Sequence, residues 1–372
     1  MPYHALHALN VSGSTGLADI SAVVHCVNLR TFIASRSDVC DISPLSSLPA
    51  LRVVRVGSTN VRAVPRLDVA ELILNNTQIA DIAALATCMH LRILDIDATP
   101  VTDISPLAAL NLTALTISQN VSCISALALH TNLQTLSCGI LSFRTTDARL
   151  YDISPLKNAA SLRHLDVAGT RVRHLTALPH CRKLKTLNIS NTYIDTVPAH
   201  IAANNHLTDI TARGCRMFHI TSLSPCASLQ YLNITGTNTY DISALCDCVH
   251  ISRLIISHNR IDDIAVVARM PDLVHLDMSY TDVTNIAGLH KCTNLETLDI
   301  CYTDVADIGA LTPCRRLRRL MAGTTKIADI SCIASMPYLR TLDIVNTLVT
   351  DTRILLSCPA LDNFYATVPY AC

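Results

Sequence analysis

The 372 residues carry 29 Lys and Arg against 29 Asp and Glu, half are hydrophobic, and Trp is absent. A neutral chain without a long basic run gives little support to a phosphate-seeking, nucleic-acid-binding surface. No uninterrupted apolar run reaches membrane-spanning length, so no membrane partner is expected.

The chain repeats itself. Leu273, Leu276, Met278, Thr281, Val283, Ile286, Leu289 and Cys292 are echoed twenty-two residues later by Leu295, Leu298, Ile300, Thr303, Val305, Ile308, Leu311 and Cys314. A third copy follows from Leu317 through Leu320, Ala322, Thr325, Ile327, Ile330, Ile333 and Met336. Apolar residues thus fall at offsets 0, 3, 5, 10, 13, 16 and 19, with a small polar residue at 8. In chain order the units start at Leu6, Leu29, Leu51, Val69, Leu91, Leu112, Leu133, Leu162, Leu184, Leu207, Leu229, Ile251, Leu273, Leu295, Leu317 and Leu339, and a truncated one starts at Leu361. One unit cannot bury its apolar side alone, whereas stacked units share a continuous core. Residues 1–372 are therefore expected to form one elongated domain of about sixteen full repeats plus the truncated last one.

Each unit opens with a short strand at offsets 2 to 6. Offsets 3 and 5 point inward, and 2, 4 and 6 point outward, because strand side chains alternate faces. Successive strands stack in parallel. A repeat this short leaves room for only a single helical or 3-10 turn on the convex side. The fold class expected is an α/β solenoid with a parallel concave sheet and short convex turns.

Asp at offset 12 marks the start of those turns, at Asp41, Asp81, Asp103, Asp241, Asp263, Asp307, Asp329 and Asp351, with Asp152 displaced by an insertion. The row is expected to cap the turns rather than to ligate metal. Thr at offset 8 (Thr59, Thr77, Thr99, Thr170, Thr192, Thr237, Thr281, Thr303, Thr325, Thr347) is expected to satisfy backbone polar groups inside the stack.

Two units break the pattern. The one from Leu51 has eighteen residues, so its convex turn is expected to be trimmed. The one from Leu133 carries an insertion at 142–151, either a contact loop or a tolerated extra length. At the C-terminus either an uncapped apolar end serves as a contact surface, or Tyr365, Pro369 and Tyr370 fold over the last repeat.

Eight of the sixteen Cys (26, 88, 181, 226, 248, 292, 314 and 358) occupy the buried offset 19, which Leu48, Leu110, Met270 and Met336 fill elsewhere. Such Cys act as small hydrophobes. Cys246–Asp247–Cys248 is a weak, isolated match to a metal pattern. Free thiols and a start without signal-peptide character lead to the expectation of a cytoplasmic protein. No cofactor or metal is expected.

The exposed offsets 2, 4, 6, 7 and 9 concentrate Arg253, His258, Arg260, His275, Asp277, Tyr280, Asp282, Asp299, Tyr302 and Asp304 in the C-terminal half. Tyr and Arg are frequent binding anchors, and adjoining basic and acidic zones orient a partner. These ten residues are the candidate partner-binding set. Catalysis has little support: His275, Asp277 and Ser279 share a strand face, but an open sheet lacks water exclusion and an oxyanion hole.

The repeat, with Ile/Val-x-Asp-Ile-x-x-Leu after the strand and Thr-Asn-Leu-Glu-Thr-Leu at 293–298, resembles the short SDS22-like and internalin class of leucine-rich repeats along essentially the whole chain. Thr at the polar position and Cys on the convex side also resemble repeat proteins of trypanosomatid protozoa. The resemblance implies a non-enzymatic scaffold that recognises a protein partner through the concave sheet, as SDS22-like proteins bind a phosphatase and internalins bind host receptors. The chain departs from both, with neither an internalin secretion signal and anchoring segments nor a clear SDS22-type C-terminal cap. The alternative is a structural subunit of a large intracellular assembly, held through uncapped solenoid ends.

Overall fold

The computed structural model describes residues 5–139, 149–176, 178, 181–198, 201, 206–216 and 219–367. Residues 142–148 of the insertion lie outside the described residues, as do Val368, Pro369 and Tyr370. The chain divides into two compact units, Met1–Leu184 and Lys185–Cys372.

The first unit contains β1 (Ala8–Asn10), β2 (Thr31–Ile33), β3 (Val53–Arg55), β4 (Glu71–Ile73), β5 (Ile93–Asp95), β6 (Ala114–Thr116), β7 (Thr135–Ser137) and β8 (His164–Asp166). Each pairs in parallel with the next. The second unit contains β9 (Thr186–Asn188), β10 (Asp209–Thr211), β11 (Tyr231–Asn233), β12 (Arg253–Ile255), β13 (His275–Asp277), β14 (Thr297–Asp299), β15 (Arg319–Met321), β16 (Thr341–Ile344) and β17 (Asn363–Ala366), again a parallel run. The register is one full repeat per strand: Leu254 pairs with Leu276, Leu276 with Leu298, and Leu298 with Leu320. These leucines are fully buried.

The return segments are 3-10 turns of three to five residues, such as Ser43–Ser47 and Ala287–Lys291. No such turn lies between β3 and β4, where the unit from Leu51 is short.

The Asp row acts one position earlier than the spacing suggests. The residue at the cap is Ile, for example Ile42 before Ser43–Ser47, and it makes no side-chain cap bond. The preceding carboxylate accepts from the first N–H of the turn instead. Ser43 N donates to Asp41 Oδ1 at 2.8 Å, Ser105 N to Asp103 at 2.8 Å, Ser243 N to Asp241 at 2.8 Å and Ser331 N to Asp329 at 2.8 Å. This displacement has a simple cause. The cap position points into the core, so it takes Ile, and the polar group moves one residue outward. Hydrogen bonds from Ser105 and Ser243 hold the Asp103 and Asp241 carboxyls below the usual range.

The Thr row does what its burial requires. Each hydroxyl donates to the carbonyl three residues back: Thr59 to Val56 (2.6 Å), Thr77 to Leu74 (2.7 Å), Thr192 to Ile189 (2.6 Å), Thr281 to Met278 (2.6 Å) and Thr303 to Ile300 (2.7 Å). Ser37 substitutes in the same way, donating to Ala34 at 2.6 Å. Asn259 holds this position in its own repeat and does more, as discussed below.

The offset-19 cysteines are buried, and they also bond. Cys292 Sγ donates to Val267 O at 3.4 Å, Cys314 Sγ to Leu289 O at 3.5 Å and Cys248 Sγ to Leu223 O at 3.6 Å. Each thiol therefore ties its turn to the previous one. Burial pushes Cys292 up to about 12 and Cys314 up to about 11, so these thiols stay protonated near neutrality.

His130 is the misfit in that column. It ends the turn Ser125–Leu129, where other repeats place Cys, Leu or Met. It is 3% exposed, and neither ring nitrogen has a hydrogen-bond partner. Burial lowers its pKa; the Leu107 and Ala126 carbonyls lie near enough to favour the proton somewhat, but neither meets hydrogen-bond geometry with the ring. With the folded value below the unfolded value of about 6.5, the unfolded chain binds the proton first. Stability from this site is then present above pH 6.5 and lost as pH falls through the folded value. His130→Leu should stabilise the protein by about 1–3 kcal/mol at pH 7.5, because an unpartnered buried ring is replaced by an apolar side chain. Urea unfolding at pH 7.5 and 5.5 should show the gap between variant and wild type widening at the lower pH. An equal gap at both would mean that the ring is solvated or partnered.

Candidate recognition surface

Offset 7 has a property that the residue types conceal. It takes a left-handed backbone in Gly13, Arg36, Ser58, Asn76, Ala98, Gly169, Asn191, Gly214, Gly236, His258, Tyr280, Tyr302, Thr324 and Asn346, with φ between 51° and 72°. Here the chain leaves the strand, and the left-handed turn aims the offset-7 N–H along the stack. His258 N donates to Ser279 O (2.9 Å), Tyr280 N to Cys301 O (2.9 Å) and Tyr302 N to Gly323 O (3.0 Å). A non-glycine residue in this conformation costs about 1–2 kcal/mol, offset here by the bond to the next repeat.

Three consecutive repeats place rings at this position. His258 stacks on Tyr280 with centroids 4.3 Å apart and planes at 11°, and Tyr280 stacks on Tyr302 at 4.2 Å and 12°. The rungs are spaced by the strand repeat, so parallel stacking follows from the fold once aromatic residues occupy adjacent rungs. The ladder is exposed: Tyr280 is 43% and Tyr302 50% accessible. A bond from Tyr302 raises the Tyr280 pKa.

The other candidates sort by offset. Arg260, Asp282 and Asp304 stand in the exposed column beside the ladder. Lys326 extends that column, with its Nζ 2.8 Å from Asp304 Oδ1. Arg253 and His275 lie side by side on β12 and β13. The Arg253 guanidinium sits 5.1 Å from the ring centroid of Tyr231. Burial, then the charge of Arg253, lowers the His275 pKa, against the raising effect of Asp277 and Asp299.

Asp277 and Asp299 already have a structural role. Asp277 Oδ1 accepts from Ser279 N (3.0 Å) and Ser279 Oγ (2.7 Å), and Asp299 Oδ1 accepts from Cys301 N (3.0 Å). The same offset-4 bond recurs far from the candidate set, from Asp97 N to Asp95 (3.0 Å), Ala168 N to Asp166 (2.9 Å) and Thr235 N to Asn233 (3.0 Å). These side chains shape the strand exit. Burial raises the Asp299 pKa above the usual carboxylate range. The described structure thus brings His258, Tyr280 and Tyr302 into one ladder flanked by Arg260, Asp282 and Asp304. Asp277 and Asp299 are engaged in turns below it. The spacing missed Lys326 and the left-handed turn, although the shared offset of residues 258, 280 and 302 was visible.

A cavity of about 360 Å³ opens beside the start of the ladder, lined by His219, Thr221, Asn238, Tyr240, Asp241 and Arg260 among others. Among the described residues, no three His, Cys, Asp or Glu side chains converge as a metal would need, and no helix is long and apolar enough to cross a membrane.

No protein-family model and no curated protein sequence matches the chain. Solved structures do. A leucine-rich-repeat protein of Leptospira interrogans is similar over 97% of this chain and 96% of its own, at 16% identity and a TM-score of 0.84. The fold is a leucine-rich-repeat solenoid. An internalin of Listeria monocytogenes is similar over 97% of this chain and 87% of its own, at 22% identity and a TM-score of 0.55. A plant peptide hormone receptor, solved in complex with RGF2, is similar over 96% of this chain and 74% of its own, at 14% identity and a TM-score of 0.58.

Proposed function

We propose that this leucine-rich-repeat protein is a non-enzymatic scaffold that binds a protein partner through the exposed strip of His258, Tyr280 and Tyr302, with Arg260, Asp282 and Asp304 beside it. The observation that carries this reading is the stacked ladder itself. Three rings are exposed on a surface whose equivalent left-handed positions elsewhere hold Gly, Asn, Ser, Ala, Arg or Thr, none of them aromatic. Rigid, stacked aromatics lose little conformational freedom on binding and serve as anchors. Their charged neighbours supply orientation. Resemblance to structures solved with peptide ligands supports the same use of the fold. The buried, protonated cysteines support a cytoplasmic location.

A photo-reactive phenylalanine analogue at position 302 preserves a ring on the ladder. In an extract of the native cell it should crosslink a discrete protein, while the same group at convex position 291 should not. Crosslinking of the same protein from both positions, or from 291 alone, would contradict this surface.

A further inference from the structure

The ladder stops at His258 for a reason written in the next rung. The preceding repeat places Gly236 at offset 7, in the same left-handed conformation (φ 66°). Gly236 N donates to Ser257 O at 3.0 Å, matching the bond His258 makes to Ser279. Its backbone is therefore in register with the ring-bearing rungs. A Cβ built there meets nothing within 4 Å. Gly214, one rung further, differs: a Cβ there would lie 2.3 Å from Asn191 Oδ1, so that rung is covered by a neighbour's side chain. The ladder thus has one open rung, directly beside the ring of His258. In the adjoining offset-9 column, Asn238 stands level with this rung, with Arg216 and Arg260 on either side. Both arginines are exposed.

We propose that the open rung over Gly236 is a docking slot for one aromatic side chain of a protein partner, stacked on His258 and flanked in the partner by acidic residues that face Arg216 and Arg260. The inference rests on the recognition surface proposed above. Stacking explains why the occupant is planar: rungs spaced by 4.2–4.3 Å leave room for a ring and little else between His258 and the covered Gly214 position. Charge selects its neighbours. Arg260 has no ion pair among the described residues, and a partner's guanidinium there would be repelled.

The full chain supplies its own control, because Ala98 and Tyr280 hold the same backbone conformation with Cβ atoms. Gly236→Tyr should complete the ladder from within and block the slot, and Gly236→Ala should leave it open. The probe is the blocked peptide acetyl-Glu-Trp-Glu-amide, titrated by NMR against full-length protein, with acetyl-Glu-Ala-Glu-amide as reference. Wild type and Gly236→Ala should shift the indole protons upfield with equal affinity, and Gly236→Tyr and His258→Ala should weaken binding at least tenfold. If Gly236→Tyr does not fold, Gly236→His answers the same question. Equal binding to the filled variant, or equal binding of the alanine peptide, would overturn the slot. Should the protein crosslinked from position 302 also bind the filled variant as tightly as wild type, the slot fails and the surface stands. Should the peptide bind over Gly236 while position 302 crosslinks nothing, the surface fails instead.

Discussion

Replacing Asn259 with Ala should lower stability by about 3–4 kcal/mol, the largest effect expected of any single polar side chain here. Asn259 is 5% exposed and sits where other repeats have Thr. Its Oδ1 accepts from Thr237 N (3.0 Å) and Thr239 N (3.0 Å), and its Nδ2 donates to Ile234 O (2.8 Å) and Ile256 O (2.9 Å). One side chain therefore satisfies backbone groups of two repeats. Truncation strands both donors in the core, where each unmet group costs about 1–3 kcal/mol. Asn259→Thr separates the contributions. Its hydroxyl should recover the bond to Ile256 O, as Thr281 bonds Met278 O, and leave Thr237 N and Thr239 N unmet. Roughly half the loss should remain. Because repeats interact with their neighbours, hydrogen exchange should rise first around Ile234–Ile256 and only later around Ile300–Ile344. Uniform loss of protection across residues 185–367 would show that this half of the chain unfolds as one cooperative block.

The repeat was legible because burial dictates it. Leu276, Leu298 and Leu320 must be apolar to fill one core, so their period survives in the sequence whatever else changes. The Thr row was legible for the same reason, since a polar atom at a buried offset needs a carbonyl in reach. The left-handed turn was not. Arg36, Tyr280 and Thr324 give no glycine signal, because the bond to the next repeat, not residue preference, holds the conformation. The roles of Asp277 and Asp299 were equally hidden. A carboxylate at an outward-facing strand position reads as free, and only the folded exit of the strand shows the amide it accepts from. The Asp row was misplaced by one residue because Ile at the cap is chosen by the core and not by capping chemistry. The vacancy at Gly236 could not be seen from spacing, since a missing side chain matters only once its neighbours are known to stack.

The most direct measurement of the central claim is the affinity of the protein crosslinked from position 302 for wild type and for Tyr280→Ala/Tyr302→Ala. Both rings are exposed and neither fills the core, so the variant should unfold with wild type. It nonetheless strips the ladder of two of its three rings. Aromatic anchors at the centre of an interface contribute about 2 kcal/mol or more each, so isothermal titration should show at least a roughly hundredfold weaker complex, equivalent to about 2.7 kcal/mol. An affinity within twofold of wild type, with the fold intact, would contradict the assignment of this ladder as the recognition surface.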